Sequence, residues 1–253
     1  MQKDKIKIAA VSYLNTLPFI WGIEHSGILQ KIELQRDYPS QCAASLISGQ
    51  VDAGLIPVAA IKGLTVYKIF SGFCIGAVTK VRTVELFSNS PLQEIRTIFL
   101  DYQSRTSVNL VKILVNNFWK LNVEYQPANE GFSFEKTKME QAVLVIGDRA
   151  FRLENQFKYK YDLAEEWIRF TGLPFVFAAW IAVKPLHPDF ISEFNQALKT
   201  GIESIDLAVE SLINPVISKQ EAKDYLNHNL SYNFDKKKFD GMNLFLSMIP
   251  DNS

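Results

Sequence analysis

The chain is 253 residues long, 47% hydrophobic and 12% aromatic, with 27 Lys+Arg against 27 Asp+Glu and a mean hydropathy of +0.00. That composition excludes a disordered chain and is enough to bury a large core without metals or disulfides. Zero net charge leaves no electrostatic footprint for nucleic acid or an anionic membrane, and no apolar stretch is long enough to span a bilayer.

Cys42 and Cys74 have neither zinc-type nor Cys-x-x-Cys spacing and read as small buried hydrophobes. His25, His187 and His228 lie far apart, so no metal site is expected. The apolar run Ile8–Val11 is too short for a secretion signal, which predicts a cytoplasmic protein. The sequence is silent on oligomeric state.

In chain order, Lys5–Val11 is a strand, the polar loop Ser12–Thr16 follows, and Pro18 opens a helix that stops near Gly27. Ile32–Asp37 alternates as a strand, Pro39–Gly49 is a helix with its C-cap, and Val51–Pro57 is a strand. Tyr67–Phe70, Phe73–Val78 and Val84–Ser88 are expected to complete the first sheet. A second unit then repeats the plan: strand Thr97–Leu100, polar loop Asp101–Ser104 and helix Arg105–Asn117. Residues 126–138 read as a surface connection, Ala142–Ile146 as a buried strand closing on Gly147-Asp148, and Asp162–Thr171 as a helix. Phe175–Val183 is an apolar strand, and Ser192–Ile205, Lys219–Asn229 and Asp235–Ile249 are helices.

Two α/β units of similar plan predict two lobes facing each other across a ligand cleft. The expected lobes are residues 1–88 with 184–253, and residues 89–183. Val84–Ser88 and Phe175–Val183 are the expected crossings.

Ligands of such a fold sit where strands end and helices begin. Ser104, Arg105, Thr106 and Ser107 bring hydroxyls, a guanidinium and free backbone N–H groups to a helix start, a set suited to a carboxylate or phosphate. The same residues also read as a helix cap beside an exposed arginine. In the matching turn, Ser12, Tyr13 and Asn15 offer hydrogen bonds to a ligand oxygen, or simply form the turn. Gly147-Asp148 follows a buried strand, so Asp148 is expected either in the cleft as a base or acceptor, or as the cap of the next helix. Lys236-Lys237-Lys238 reads as a solvated helix face, and Trp167 and Trp180 as core. Dinucleotide, phosphate-loop and nucleophile-elbow motifs are absent from the sequence.

Taken together, Val11-Ser12-Tyr13-Leu14-Asn15-Thr16, Leu55-Ile56-Pro57-Val58, Ser104-Arg105-Thr106-Ser107-Val108, Ile146-Gly147-Asp148 and Thr171-Gly172-Leu173-Pro174-Phe175-Val176-Phe177-Ala178 resemble the chorismate dehydratase family of the futalosine route to menaquinone. The resemblance runs from residue 5 to about 183, and the tail matches only in helical character. It implies a two-lobed fold like the type 2 periplasmic binding proteins. It also implies conversion of chorismate to 3-[(1-carboxyvinyl)oxy]benzoate and water, without a cofactor.

In that family the asparagine of the Tyr-Leu-Asn motif and a serine near the first lobe crossing belong to the active site. Here these correspond to Asn15 and Thr83. Where the family often carries Asp-Gly-Pro-Val before that serine, this chain reads Thr79-Lys80-Val81-Arg82, a departure that bears on Thr83. The sister enzyme dihydroxynaphthoate synthase has a similar fold and a histidine base, and Gly147-Asp148 stands where that histidine would be. A non-catalytic binding protein for a small carboxylate is the reading from a different functional class.

Overall fold

The computed structural model describes residues 5–250. The first unit opens with β1 (Ile6–Val11), a 3-10 turn (Leu14–Thr16) and α1 (Leu17–Glu24), with Pro18 in the first turn where its missing N–H is not needed. It continues through β2 (Ile32–Asp37), α2 (Pro39–Ile47), β3 (Ala53–Pro57), a 3-10 segment (Val58–Gly63) and β4 (Lys68–Ala77).

The second unit runs β5 (Val84–Ser88), β6 (Thr97–Asp101) and α3 (Arg105–Ile113), the last prolonged by π-helical turns at Leu114–Trp119. Then come β7 (Glu124–Ala128), β8 (Gln141–Ile146), α4 (Arg149–Leu153), β9 (Tyr159–Asp162) and α5 (Leu163–Thr171). The chain returns through β10 (Phe175–Ala182) and finishes with α6 (Pro188–Glu203), α7 (Ile205–Glu210), α8 (Lys219–His228), β11 (Ser231–Asn233) and α9 (Lys236–Met248).

Two sheets result, in the orders β11-β4-β10-β3-β1-β2 and β7-β6-β8-β5-β9. The two-lobed α/β architecture expected from the sequence is present. Two strands lie in the opposite sheet from the expected one. Val84–Ser88, expected to complete the first sheet, pairs antiparallel with β8 and β9 in the second. Phe175–Ala182 sits centrally in the first sheet, antiparallel to β3 and β4. By sheet membership the chain therefore changes unit between Ala77 and Val84 and again between Thr171 and Phe175, not at 88 and 183. A short apolar run carries no mark of which neighbour it will pair with.

The two expected strands at 67–70 and 73–78 are one strand, β4, which bulges against β10 between Ile69 and Cys74, where the break was expected. All eight residues of β10 are buried, as its uninterrupted apolar sequence requires of a central strand.

Trp180 packs edge-on to Phe19 and Phe194, with ring centroids 5.9 and 4.9 Å away. Trp167 does the same with Phe175 and Phe245. Both tryptophans are core, as read, and so are the free thiols of Cys42 and Cys74, which burial pushes up to about 12. Glycine permits the close approach of α1 and α6: a Cβ on Gly201 would lie 1.8 Å from the Pro18 carbonyl, so the two helices meet backbone to backbone.

The lysine run at 236–238 departs from its expected place. Lys236 is solvated and paired with Asp240, but Lys238 is 1% exposed, its stem lying against Gly76 and its ammonium on Asp235.

Candidate functional site

A cavity lies between the two units, with about 470 Å³ of empty space counting the part open to solvent. It is walled by the ends of β1, β3 and β8 through Val11, Pro57, Ile146 and Gly147, and by Phe177 and Ala178 of β10. Its polar lining comes from three places: Tyr13, Asn15 and Thr16 in the first turn, Thr83 in the crossing, and Ser104 and Ser107 at the start of α3. Strand ends and helix starts thus converge on one space, as the parallel stretches of both sheets dictate.

Asn15 is held over the cavity by its 3-10 turn. Thr16 Oγ1 fixes that turn, 2.6 Å from the Val11 carbonyl and 2.7 Å from the Tyr13 carbonyl. The Asn15 side-chain oxygen is buried and has no hydrogen-bond partner among the described residues. A buried amide oxygen without a partner costs on the order of 1–3 kcal/mol, so its place at a cavity marks it as ligand-facing. Tyr13 crosses the cleft, where its hydroxyl donates to Gln103 Oε1. Burial holds this phenol well above the usual range, so it remains a donor. Its ring lies on Gly147, which has φ +65°; a Cβ there would meet the ring at 2.8 Å. Only glycine satisfies both the left-handed backbone and the ring.

Thr83 is 1% exposed, and its Oγ1 lies 2.8 Å from the Tyr225 hydroxyl. Ser104 is the N-cap of α3: its Oγ accepts the Ser107 N–H at 3.2 Å and lies 3.1 Å from Ser107 Oγ. The contact between the two hydroxyls uses one proton, leaving the other hydroxyl free to donate into the cavity at the positive end of the helix.

Four residues expected at the site lie elsewhere. Arg105 is exposed, in a separate outer groove with Lys62 and Lys112. Thr106 is buried with Oγ1 accepting the Ala59 N–H at 3.1 Å, in the contact between units. Ser12 is exposed on a second groove outside the cavity. Asp148 lies on that outer groove too, both carboxylate oxygens accepting the Leu14 N–H at 3.0 and 3.2 Å. Burial raises the Asp148 carboxyl above the ordinary range, opposed by the Leu14 N–H and by Arg152. Its carboxylate is thus a fastener between the units and not a wall of the cavity. It makes no side-chain cap on α4 either.

Behind the site stand buried carboxylates in two places. Asp101 accepts the Gln103 and Ile146 N–H groups and pairs with Arg149 at 2.6 Å. Asp162 accepts Val81 and Arg82 N–H at 2.8 and 2.7 Å, pinning the crossing, and caps α5 through Ala164 and Glu165. Glu85, its cross-strand partner, is buried with an unpartnered oxygen, and burial together with the Asp162 charge pushes it up to about 9.

With the geometry in place, comparison with known proteins identifies its kin. The sequence pattern of the family described as menaquinone biosynthesis matches residues 6–251. The chain belongs to this family. It is 26% identical over 186 residues to a chorismate dehydratase of Thermus thermophilus, a match spanning 66% of each chain, just under two thirds of the relative's length. A solved structure from Archaeoglobus fulgidus superposes with TM-score 0.70 at 16% identity, covering 98% of this chain and 97% of the other. A Candida albicans protein described as having the generic periplasmic binding protein fold gives TM-score 0.68 at 12% identity, covering 97% and 90%. These two likenesses show the fold: a periplasmic-binding-protein-like architecture. No helix of the described residues is long and apolar enough to cross a membrane.

The sequence reading did not pick out Gln103, Tyr225 and Tyr232. Gln103 carried a signal, standing beside Ser104 in the second unit's polar loop. The two tyrosines read as ordinary aromatic positions of a helical tail.

Proposed function

We propose that this protein is a chorismate dehydratase, eliminating water from chorismate to give 3-[(1-carboxyvinyl)oxy]benzoate. The observation that carries this reading is the chemistry of the cavity wall. Its polar groups are hydroxyls and an amide, with no carboxylate or imidazole among the lining residues. Such a wall suits a substrate that brings its own charges and its own base.

Chorismate carries a ring carboxylate, an enolpyruvyl ether with a second carboxylate at C3, and a hydroxyl at C4. Removing the C3 proton sends its electron pair toward the ring carboxylate. Donors preorganised at that carboxylate lower the barrier, a role that falls to the free hydroxyl of the Ser104–Ser107 pair and the start of α3. The C4–O bond then breaks, a C3–C4 double bond forms, and the ring becomes aromatic. The proton taken from C3 leaves with the C4 oxygen as water, so substrate equals product plus water. Asp148 is turned to Leu14, which leaves the enolpyruvyl carboxylate as the base, an intramolecular transfer that needs only correct orientation. Asn15 and Thr83 hold the ether and the departing hydroxyl.

The test is incubation of the purified protein with chorismate, followed by chromatography and mass measurement. An aromatic enol-ether product, lost with Asn15→Ala, is expected. Chorismate that stays intact while raising the melting temperature would instead favour a binding protein, the role the fold's name suggests.

A further inference from the structure

The C-terminal segment reaches the site from behind. Tyr225 on α8 is buried and does not line the cavity, yet its hydroxyl lies 2.8 Å from Thr83 Oγ1 and its ring stands edge-on to Phe151, centroids 5.1 Å apart. Tyr232 on β11 makes a parallel contact, donating to the Asn15 carbonyl at 3.2 Å with its ring edge-on to Phe19. Burial keeps both phenols protonated.

The protons can be followed through this contact. Thr83 is the partner of the Tyr225 hydroxyl among the described residues, and a buried O–H donates where it has an acceptor. Donation from Tyr225 to Thr83 would give that proton its acceptor, occupy one Thr83 lone pair and leave the Thr83 proton to be placed. Its protein acceptor is the Val81 carbonyl at 3.4 Å, long for an O–H bond, so a ligand oxygen in the cavity is the better acceptor.

We propose that Tyr225 is a positioning residue that fixes Thr83 as a hydrogen-bond donor toward the ligand, each bond in the chain from Tyr225 to Thr83 to ligand strengthening the next. No proton leaves the tyrosine. The inference rests on the dehydratase reading, in which Thr83 meets the departing C4 oxygen.

The test is a double-mutant cycle on the full chain: Tyr225→Phe, Thr83→Val and both together, with kcat, KM and calorimetric Kd for chorismate. Tyr225→Phe keeps the ring on Phe151 and removes only the hydroxyl. It should lower kcat about tenfold, with KM within about twofold. In the Thr83→Val background it should cost nothing more. Thr83→Ser should preserve sensitivity to Tyr225→Phe. An equal loss with and without the Thr83 hydroxyl, or a fall in melting temperature with unchanged kcat, would overturn the relay and leave a packing role. Binding without turnover by the unaltered protein would sink the dehydratase reading alone, and the same cycle read on Kd would then decide the relay. Neither turnover nor binding would overturn both.

Discussion

The turn at residues 13–16 and the turn at residues 101–104 occupy the same place in their units, each between a first strand and a first helix, yet they do different work. In the first, a 3-10 turn tied by Thr16 presents the Asn15 side-chain oxygen, unpartnered among the described residues, to the cavity and sends Tyr13 across the cleft. In the second, Ser104 is spent on capping α3, Asp101 is spent on Arg149 and two backbone N–H groups, and Arg105 faces solvent. A polar turn becomes a site where its groups are held but not satisfied. Where helix capping and ion pairing satisfy them, it becomes scaffold with a single donor to spare.

The strongest way to break this contrast is Asn15→Ala, which should cut turnover by about 10²–10³ with little change in melting temperature; a loss under threefold would remove Asn15 from the reacting centre. Gly147→Ala comes next, forcing a side chain into a left-handed backbone and onto the Tyr13 ring. It should destabilise the protein by about 1–3 kcal/mol in urea unfolding, and Tyr13→Ala in the same chain should recover part of the loss.

Glu85 sharpens the scaffold side of the comparison. Its raised pKa means that the folded state keeps a proton the unfolded state has lost. Stability from this group is therefore full below the ordinary glutamate range and falls as pH rises toward about 9, by about 1.4 kcal/mol per pH unit for one proton. Unfolding free energies at pH 6, 7 and 8 should fall in that order, and Glu85→Gln should flatten the fall. Ser104→Ala should cost about 1 kcal/mol as a lost cap and, by breaking the hydroxyl pair that steadies the developing charge, lower kcat more than it raises KM. Smallest of all, Arg105→Ala and Asp148→Asn should each leave turnover within about twofold, since one side chain is outside and the other still offers Leu14 an oxygen; a hundredfold loss with Asp148→Asn would restore it as the base.

Much of this was legible in the chain. The two α/β units, both polar turns, the capping of α3 by Ser104 and the burial of both tryptophans follow from period and punctuation. Direction was harder. Successive helix residues turn by about 100°, so Ser104 and Ser107, three apart, share the cavity side while Arg105 and Thr106 point elsewhere. That rule was available, and a run of four polar residues concealed it. Sheet membership of Val84–Ser88 and Phe175–Ala182 depends on long-range pairing, which local pattern does not encode. β7, β9 and β11 are short strands of largely polar or aromatic residues without clear alternation, β9 and β11 reading Tyr-Lys-Tyr-Asp and Ser-Tyr-Asn. Tyr225 and Tyr232 acquire their meaning only when the tail folds back on the first unit.

The contacts that shut the cleft share a further property. Leu14, Ser40 and Ala59 each lie in the first turn of a helical segment of the first unit, and their N–H groups are taken by the Asp148 carboxylate, the Gln103 carbonyl and the Thr106 hydroxyl of the second. Parting the lobes uncaps three helices at once. Those three amide hydrogens are thus built-in reporters: their exchange with deuterated solvent should quicken together whenever the lobes separate, and slow together when a ligand keeps them shut.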